Sequence, residues 1–146
     1  MCCIIRTKKL HPGVEAKRQW LSDQAFARKF GFEVVDTTEN GYELLALSFD
    51  GTTPRFAPSV KQQEIESKEL IIYYDRQCPY AYQKLEMIKQ YCEMNEVPVS
   101  FIRVDMLHKA KALPCVFNNW AVLYKGRFET VNLLHDVDYI KRILKK

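Results

Sequence analysis

The chain has 146 residues, a 47% apolar composition and a formal net charge of +4. That size fits one ordinary domain or two small modules, and the apolar content is enough for a packed core, which excludes a chain disordered throughout. The excess charge lies in the second half: residues 1–66 carry nine Lys/Arg against nine Asp/Glu, and residues 67–146 carry the remaining thirteen against nine. Its basic residues are scattered and do not alternate with aromatics, so the expectation is a solvated surface rather than a nucleic-acid interface.

The N-terminal "MCCIIRTKK" is too short and wrongly arranged for a signal peptide, and no run of about 18 uncharged apolar residues occurs. The expectation is a cytoplasmic protein without a membrane partner. The five cysteines, Cys2, Cys3, Cys78, Cys92 and Cys115, are an odd number without paired spacing. They predict reduced thiols rather than a disulfide scaffold. His11, His108 and His135 are far apart, so no metal site is expected.

In chain order, "CCIIRT" reads as a strand. The stretch "WLSDQAFARKF" then has the signature of a short helix. Ser22 is its N-cap, Leu21 and Phe26 have the spacing of a hydrophobic staple, and Asp23 complements the positive end of the dipole. Arg28 and Lys29 fall in the last turn, and Gly31 stops the helix. "FEVVD" and "YELLALSF" follow as a hairpin turning at Asn40-Gly41. Residues 50–68, polar and broken by Pro54, Pro58 and Gly51, read as a linker between a first module, 1–49, and a second, 69–146.

The second module opens with the apolar strand "LIIYYD" and a helix after Cys78. Ala81, Leu85, Ile88 and Cys92 recur on one face of that helix at steps of four, three and four. A strand "VSFIRVD", a short helical "MLHKAKAL" and Pro114 come next. The apolar runs "WAVLYKGRFETVNLL" turn at Lys125-Gly126, and a closing helix spans about Asp136 to Leu144. The fold class is α/β in the broad α+β sense.

The chemically suggestive residue is Cys78. A cysteine at a helix N-terminus lies near unpaired N–H groups and the positive end of the macrodipole, which favour a thiolate, and Pro79 suits the first helical position. The bland reading is a small residue at a helix cap. Asp75 and Asp105 read as turn or capping residues, Trp20 and Trp120 as core or interface anchors, and the amides of "FNNW" as loop satisfiers.

This order, with Cys-Pro at the first helix and a proline before the hairpin, resembles the thioredoxin and glutaredoxin fold over about residues 69–146. "CPYA" resembles the glutaredoxin motif "CPYC", with Ala81 in place of its second cysteine. The resemblance implies that Pro114 occupies the position of the family's cis-proline beside the active thiol. It makes Cys78 a candidate catalytic thiol, and Tyr80, Pro114 and Cys115 candidate substrate-binding positions. Without a resolving cysteine at position 81, a two-thiol oxidoreductase is not expected.

"WLSDQAFARKFGFEVVDTTENGYELLALSF" is similar to the end of a GNAT-family acetyltransferase, where a helix runs into a "GF" strand and a last strand follows. The combination resembles the YoaP-like group of GNAT N-acetyltransferases, which implies acetyl-CoA as the cofactor of the full-length family. Two departures argue that these 146 residues do not bind it alone. The family's Gln/Arg-x-x-Gly-x-Gly/Ala phosphate loop is missing, since Gly13, Gly31, Gly41, Gly51 and Gly126 are widely spaced. Ala27 stands where many members have a proton-donating tyrosine. The reading is therefore a C-terminal, truncated part of such an enzyme, whose partner is a missing N-terminal GNAT region or a second copy. A monothiol glutaredoxin-like oxidoreductase using Cys78 and a non-catalytic binding or dimerisation module are the alternatives.

Overall fold

The structure, a computed structural model, describes residues 2–7, 24–131 and 137–146, with side chains from residue 27 onward. The proposed cap and staple residues Leu21, Ser22 and Asp23, and Trp20, His11 and His135, lie outside the described residues, as does the Phe26 side chain. The chain divides into two compact units, residues 1–61 and 62–146. It is mixed α/β throughout. Among the described residues no helix is long and apolar enough to cross a membrane.

The first unit contains β1 (Cys2–Thr7), α1 (Gln24–Lys29), β2 (Glu33–Thr37), β3 (Tyr42–Leu47) and, at its end, α2 (Pro58–Gln62). α1 stops where glycine was expected to stop it. Gly31 has φ +82°, and the amides of Phe30 and Phe32 both reach the Ala27 carbonyl. β3 is the central strand of an antiparallel sheet ordered β1-β3-β2. Its residues from Tyr42 to Ala46 are buried on both faces. The hairpin turn is tied by Thr38, whose hydroxyl accepts the Tyr42 amide at 2.9 Å and donates to Asn40 Oδ1 at 2.7 Å.

The boundary between the units falls inside the segment read as a linker. A bulge between Val34 and Asp36 turns the Asp36 carboxylate out of the β2 ladder. There Oδ2 accepts the Phe56 amide at 2.9 Å and Oδ1 binds Lys61 Nζ at 2.7 Å, so the polar stretch folds back on the hairpin. Helix α2 in this stretch was not expected from the sequence. Residues 63–68 join the second unit instead: Gln63 N–H donates to the Pro114 carbonyl, Ile65 N–H to that of Gly126, and Phe128 N–H to that of Gln63.

The second unit comprises β4 (Leu70–Tyr74), α3 (Pro79–Met94), β5 (Val99–Arg103), α4 (Leu107–Lys111), β6 (Trp120–Tyr124), β7 (Arg127–Thr130) and α5 (Val137–Leu144). The sheet order is β5-β4-β6-β7, with β4 parallel to β5 and the other neighbours antiparallel. Asp136, expected to open the last helix, lies outside the described residues.

Alternation along the strands divides the core into two clusters. On one face Leu70, Ile72, Trp120 and Val122 pack with Leu85, Ile88 and Cys92 of α3 and with Ile140 and Ile143 of α5. The stripe Ala81, Leu85, Ile88, Cys92 is the buried face of α3, as its spacing predicted. On the other face Ile71, Cys115, Ala121 and Leu123 form a second cluster, with Ile65, Tyr73 and Phe117 around it. Ile72 and Ile88 are fully buried. Truncating either to alanine forfeits packing worth about 2–5 kcal/mol.

Candidate functional site

The loop between β4 and α3 carries Cys78. Asp75 shapes it: its amide donates to the Asn119 carbonyl at 3.0 Å, and its Oδ1 accepts the Gln77 amide at 3.1 Å. Cys78 is the N-cap of α3, with extended backbone (φ −95°, ψ 119°), and Pro79 takes the first helical position. No side-chain hydrogen bond caps the helix, and the Cys78 carbonyl accepts the Ala81 amide at 3.0 Å. The thiol is half-buried, and Tyr80 beside it is 71% exposed.

Ala81, where a resolving cysteine would sit, faces the core and is 1% exposed. Cys92 is buried on the inner face of α3, and Cys115 is buried in the cluster on the opposite side of the sheet. Cys78, Cys92 and Cys115 are all free thiols. Burial pushes the Cys115 thiol up to about 12. Burial also raises Cys92, with the Glu93 charge adding to it. Both are therefore protonated near neutrality, and neither is an attacking thiolate.

Pro114 lines a cavity of about 300 Å³ together with Tyr73, Leu113 and Lys109, a lining that does not include Cys78. The Leu113–Pro114 bond is trans, as are all described peptide bonds. Tyr73 and Lys109 had not been singled out from the sequence. Tyr73 follows from strand alternation once the sheet order is known, because it sits beside Ile102 in the parallel register.

The other candidates have structural employment. Asp105 binds Lys109 at 2.7 Å, and that hydrogen bond holds its carboxyl below the usual range. Asn118 Oδ1 accepts the amides of Asn119 and Trp120 at 2.6 and 3.2 Å. Trp120 is fully buried, and its indole Nε1 has no hydrogen-bond partner among the described residues. Among the described residues no group of three or more His, Cys, Asp or Glu could hold a metal ion.

Comparison with known proteins gives first a class. Residues 98–145, the stretch from β5 through α5, match the family model described as YoaP-like. A particular relative extends the match into the first unit. Over 127 residues the chain is 28% identical to a protein of Bacillus subtilis (strain 168) named "Uncharacterized N-acetyltransferase YoaP", covering 86% of this chain and 51% of that protein. The chain thus spans about half the length of the curated relative it matches. Both matches are likenesses to YoaP-like proteins. No solved structure matches.

Proposed function

We propose that this chain is the C-terminal part of a GNAT-type N-acetyltransferase, a partial GNAT module followed by a thioredoxin-like accessory module. The observation that carries the reading is the match to a protein named as an N-acetyltransferase, which covers 86% of the chain and so reaches across both units. The first unit supports it with α1 ending at Gly31, running into Phe32 and β2, and then β3, the helix, "GF" strand and last strand of the resemblance. The second unit supports the thioredoxin-like part with its β5-β4-β6-β7 order and a Cys-Pro step at the start of α3.

In this reading acetyl-CoA is gripped by the half of such proteins that this chain does not span. A pyrophosphate needs several backbone N–H groups converging on it, which close-set glycines permit. Here the five glycines are scattered. The chain's own contribution is the hairpin that completes the acetyltransferase sheet and an accessory module that engages an acceptor or a second subunit. The reading needs neither nucleic acid nor membrane, and it assigns the protein to the cytoplasm.

Calorimetric titration with acetyl-CoA tests it on three samples: this chain, the intact Bacillus relative, and the half of that relative which this chain matches. Saturable binding is expected for the intact relative alone. Binding by this chain, or none by the intact relative, would overturn the reading.

A second reading is favoured by one observation: of the three thiols whose surroundings are described, only Cys78 is not buried. A monothiol at that position would exchange with disulfides without any coenzyme.

A further inference from the structure

Helix α3 is apolar on two faces. Its inner stripe packs on the sheet, yet its outer surface carries Tyr80, Met87 and Met94, which are 71%, 43% and 79% exposed. Gln83 and Gln90, also exposed, lie between them. At about 100° per residue these five side chains fall within an arc of about 80°, turned roughly 150° from the buried stripe. They face solvent, where a helix ordinarily displays charge.

The charges of α3 lie beside this arc and not on it. Glu86, Lys89 and Glu93 follow one border, with Lys89 and Glu93 4.0 Å apart, and Lys84 stands on the other. The arc itself is tyrosine, methionine and glutamine, and the centre of a protein interface shows the same enrichment in Tyr and Met and the same loss of Lys and Glu. α5, on the same face of the sheet, behaves differently. It is far more amphipathic than α3 and turns Asp138, Lys141, Arg142 and Lys145 to solvent.

The spacing selects the occupant. Tyr80, Met87 and Met94 recur every seven residues, as do Gln83 and Gln90, in a row about 21 Å long. Laid antiparallel on a copy of itself with the two-fold axis at Met87, the row sets Met87 on Met87, Tyr80 on Met94 and Gln83 beside Gln90. Apolar groups then meet apolar ones and amides meet amides, with two thioether–aromatic contacts of the kind sulfur favours. The helix dipoles are opposed. The two Lys84 residues stand about 9 Å apart along the seam, near the screening length of physiological salt. A neutral arc of this kind offers nothing to select a charged partner, whereas its repeat fits itself.

We propose that α3 pairs antiparallel with α3 of a second copy through this arc, a two-fold contact in which one patch serves both sides. A seam one helix wide covers less than the roughly 800 Å² per partner of a standard interface, so the dimer is transient and concentration-dependent. Each copy carries a net charge of +4 while the seam is neutral, so salt that screens the repulsion should strengthen the association. The pairing makes a second subunit, rather than an acceptor, the partner of the accessory module, and in that sense rests on the acetyltransferase reading. The contact itself needs no acetyl-CoA, so its test can fail while the acetyl-CoA titration succeeds, and the reverse.

Sedimentation of the purified chain from about 10 µM to about 1 mM tests the pairing. A reversible monomer–dimer equilibrium that tightens from low to physiological salt is expected, with concentration-dependent amide NMR shifts confined to α3. Met87→Glu sets two carboxylates together at the axis and should weaken association by about tenfold or more. Tyr80→Glu or Met94→Lys alone should weaken it, and the two in one chain should restore it, because the antiparallel seam brings the new charges together with opposite sign. All three positions are exposed, so the melting temperatures should stay near that of the native chain. A chain monomeric throughout, association that weakens with salt, shifts on another face, indifference to Met87→Glu, or no restoration in the double variant would each overturn the proposal.

Discussion

Asp36 and Phe56, twenty residues apart, are joined by a hydrogen bond of 2.9 Å from the Phe56 amide to Asp36 Oδ2. The same carboxylate takes Lys61 Nζ and the Thr37 amide on its other oxygen, at 2.7 and 2.8 Å. This one side chain fixes the return of residues 50–61 onto the first unit's sheet.

The contributions at that site differ in a measurable way. The Asp36 side chain is 9% exposed and that of Lys61 44%. The ion pair therefore acts through partly wet surroundings and is worth less than about 1 kcal/mol, whereas removing the carboxylate also leaves the Phe56 amide without its acceptor. Asp36→Ala should destabilise the first unit by roughly 1–3 kcal/mol and Lys61→Met by under about 1 kcal/mol. Faster exchange of the Phe56 amide in Asp36→Ala, but only slightly in Lys61→Met, is the expected readout.

The pH dependence has a definite sign. Burial acts to raise the Asp36 carboxyl, but the Lys61 hydrogen bond and the Phe56 and Thr37 amides outweigh it and hold the group below its ordinary value. A depressed folded-state value means that the stabilisation is complete above the unfolded-state value of about 3.9 and fades as pH falls through the folded one. Acid titration should therefore release the Phe56 amide below about pH 4, and Asp36→Ala should abolish that dependence. An acid release that survives the substitution would refute this account.

Gly126 tests the strap formed by residues 63–68. A side chain there would begin 2.7 Å from the Ile65 carbonyl oxygen, on a backbone with φ +80°. Gly51 has a similar φ of +77° with nothing within 4 Å. Gly51→Ala should thus cost only the left-handed penalty of about 1–2 kcal/mol. Gly126→Ala must also displace backbone and should cost distinctly more, with faster exchange at Ile65 and Phe128, whose amides hold the strap. Equal costs would show that the strap yields freely.

How far these features were legible in the sequence depends on their range. The inner face of α3 was readable because Ala81, Leu85, Ile88 and Cys92 obey helical spacing, and the hairpin turns because Asn40-Gly41 and Lys125-Gly126 carry local turn chemistry. The fate of residues 50–68 was not. Its pairing depends on Asp36, Pro114 and Gly126, contacts set by tertiary structure rather than by anything within the segment. The cavity beside Pro114 was hidden for the same reason, since Tyr73, Lys109 and Leu113 line one space only once the sheet is assembled.

Thiol accessibility separates Cys78 from the other cysteines described. Under native conditions iodoacetamide should modify Cys78 first, and Cys92 and Cys115 only on unfolding, because both are 1% exposed. Peptide mass spectrometry resolves these sites from Cys2 and Cys3. Glutathione disulfide should then form a mixed disulfide in which the Cys78 sulfur bonds to one glutathione sulfur and the other glutathione leaves as thiolate. With Ala81 in the resolving position, that adduct should persist until an external thiol is added. Native labelling of Cys115 at a rate equal to Cys78 would contradict the packing described here.

Cys115 makes the strongest pH prediction. Its thiol is held neutral up to about 12 by burial, while an unfolded cysteine ionises near 8.5. Between those values the folded state keeps a proton that the unfolded state has lost, so stability must fall as pH rises, by roughly 1.4 kcal/mol per pH unit from this group. Tyr73 steepens the fall, since burial raises its phenol and a charge on Cys115 would raise it further. Cys115→Ala removes the thiol and the coupling together. It will lower stability at neutral pH by opening a small void, so the informative quantity is the slope rather than the intercept. Unfolding free energies from urea titrations between about pH 8.5 and 10.5 should decline distinctly less steeply in Cys115→Ala than in the native chain. Parallel slopes would mean that the thiol ionises in the folded protein, which the packing of Ile71, Ala121 and Leu123 around it does not permit without opening the second face of the sheet.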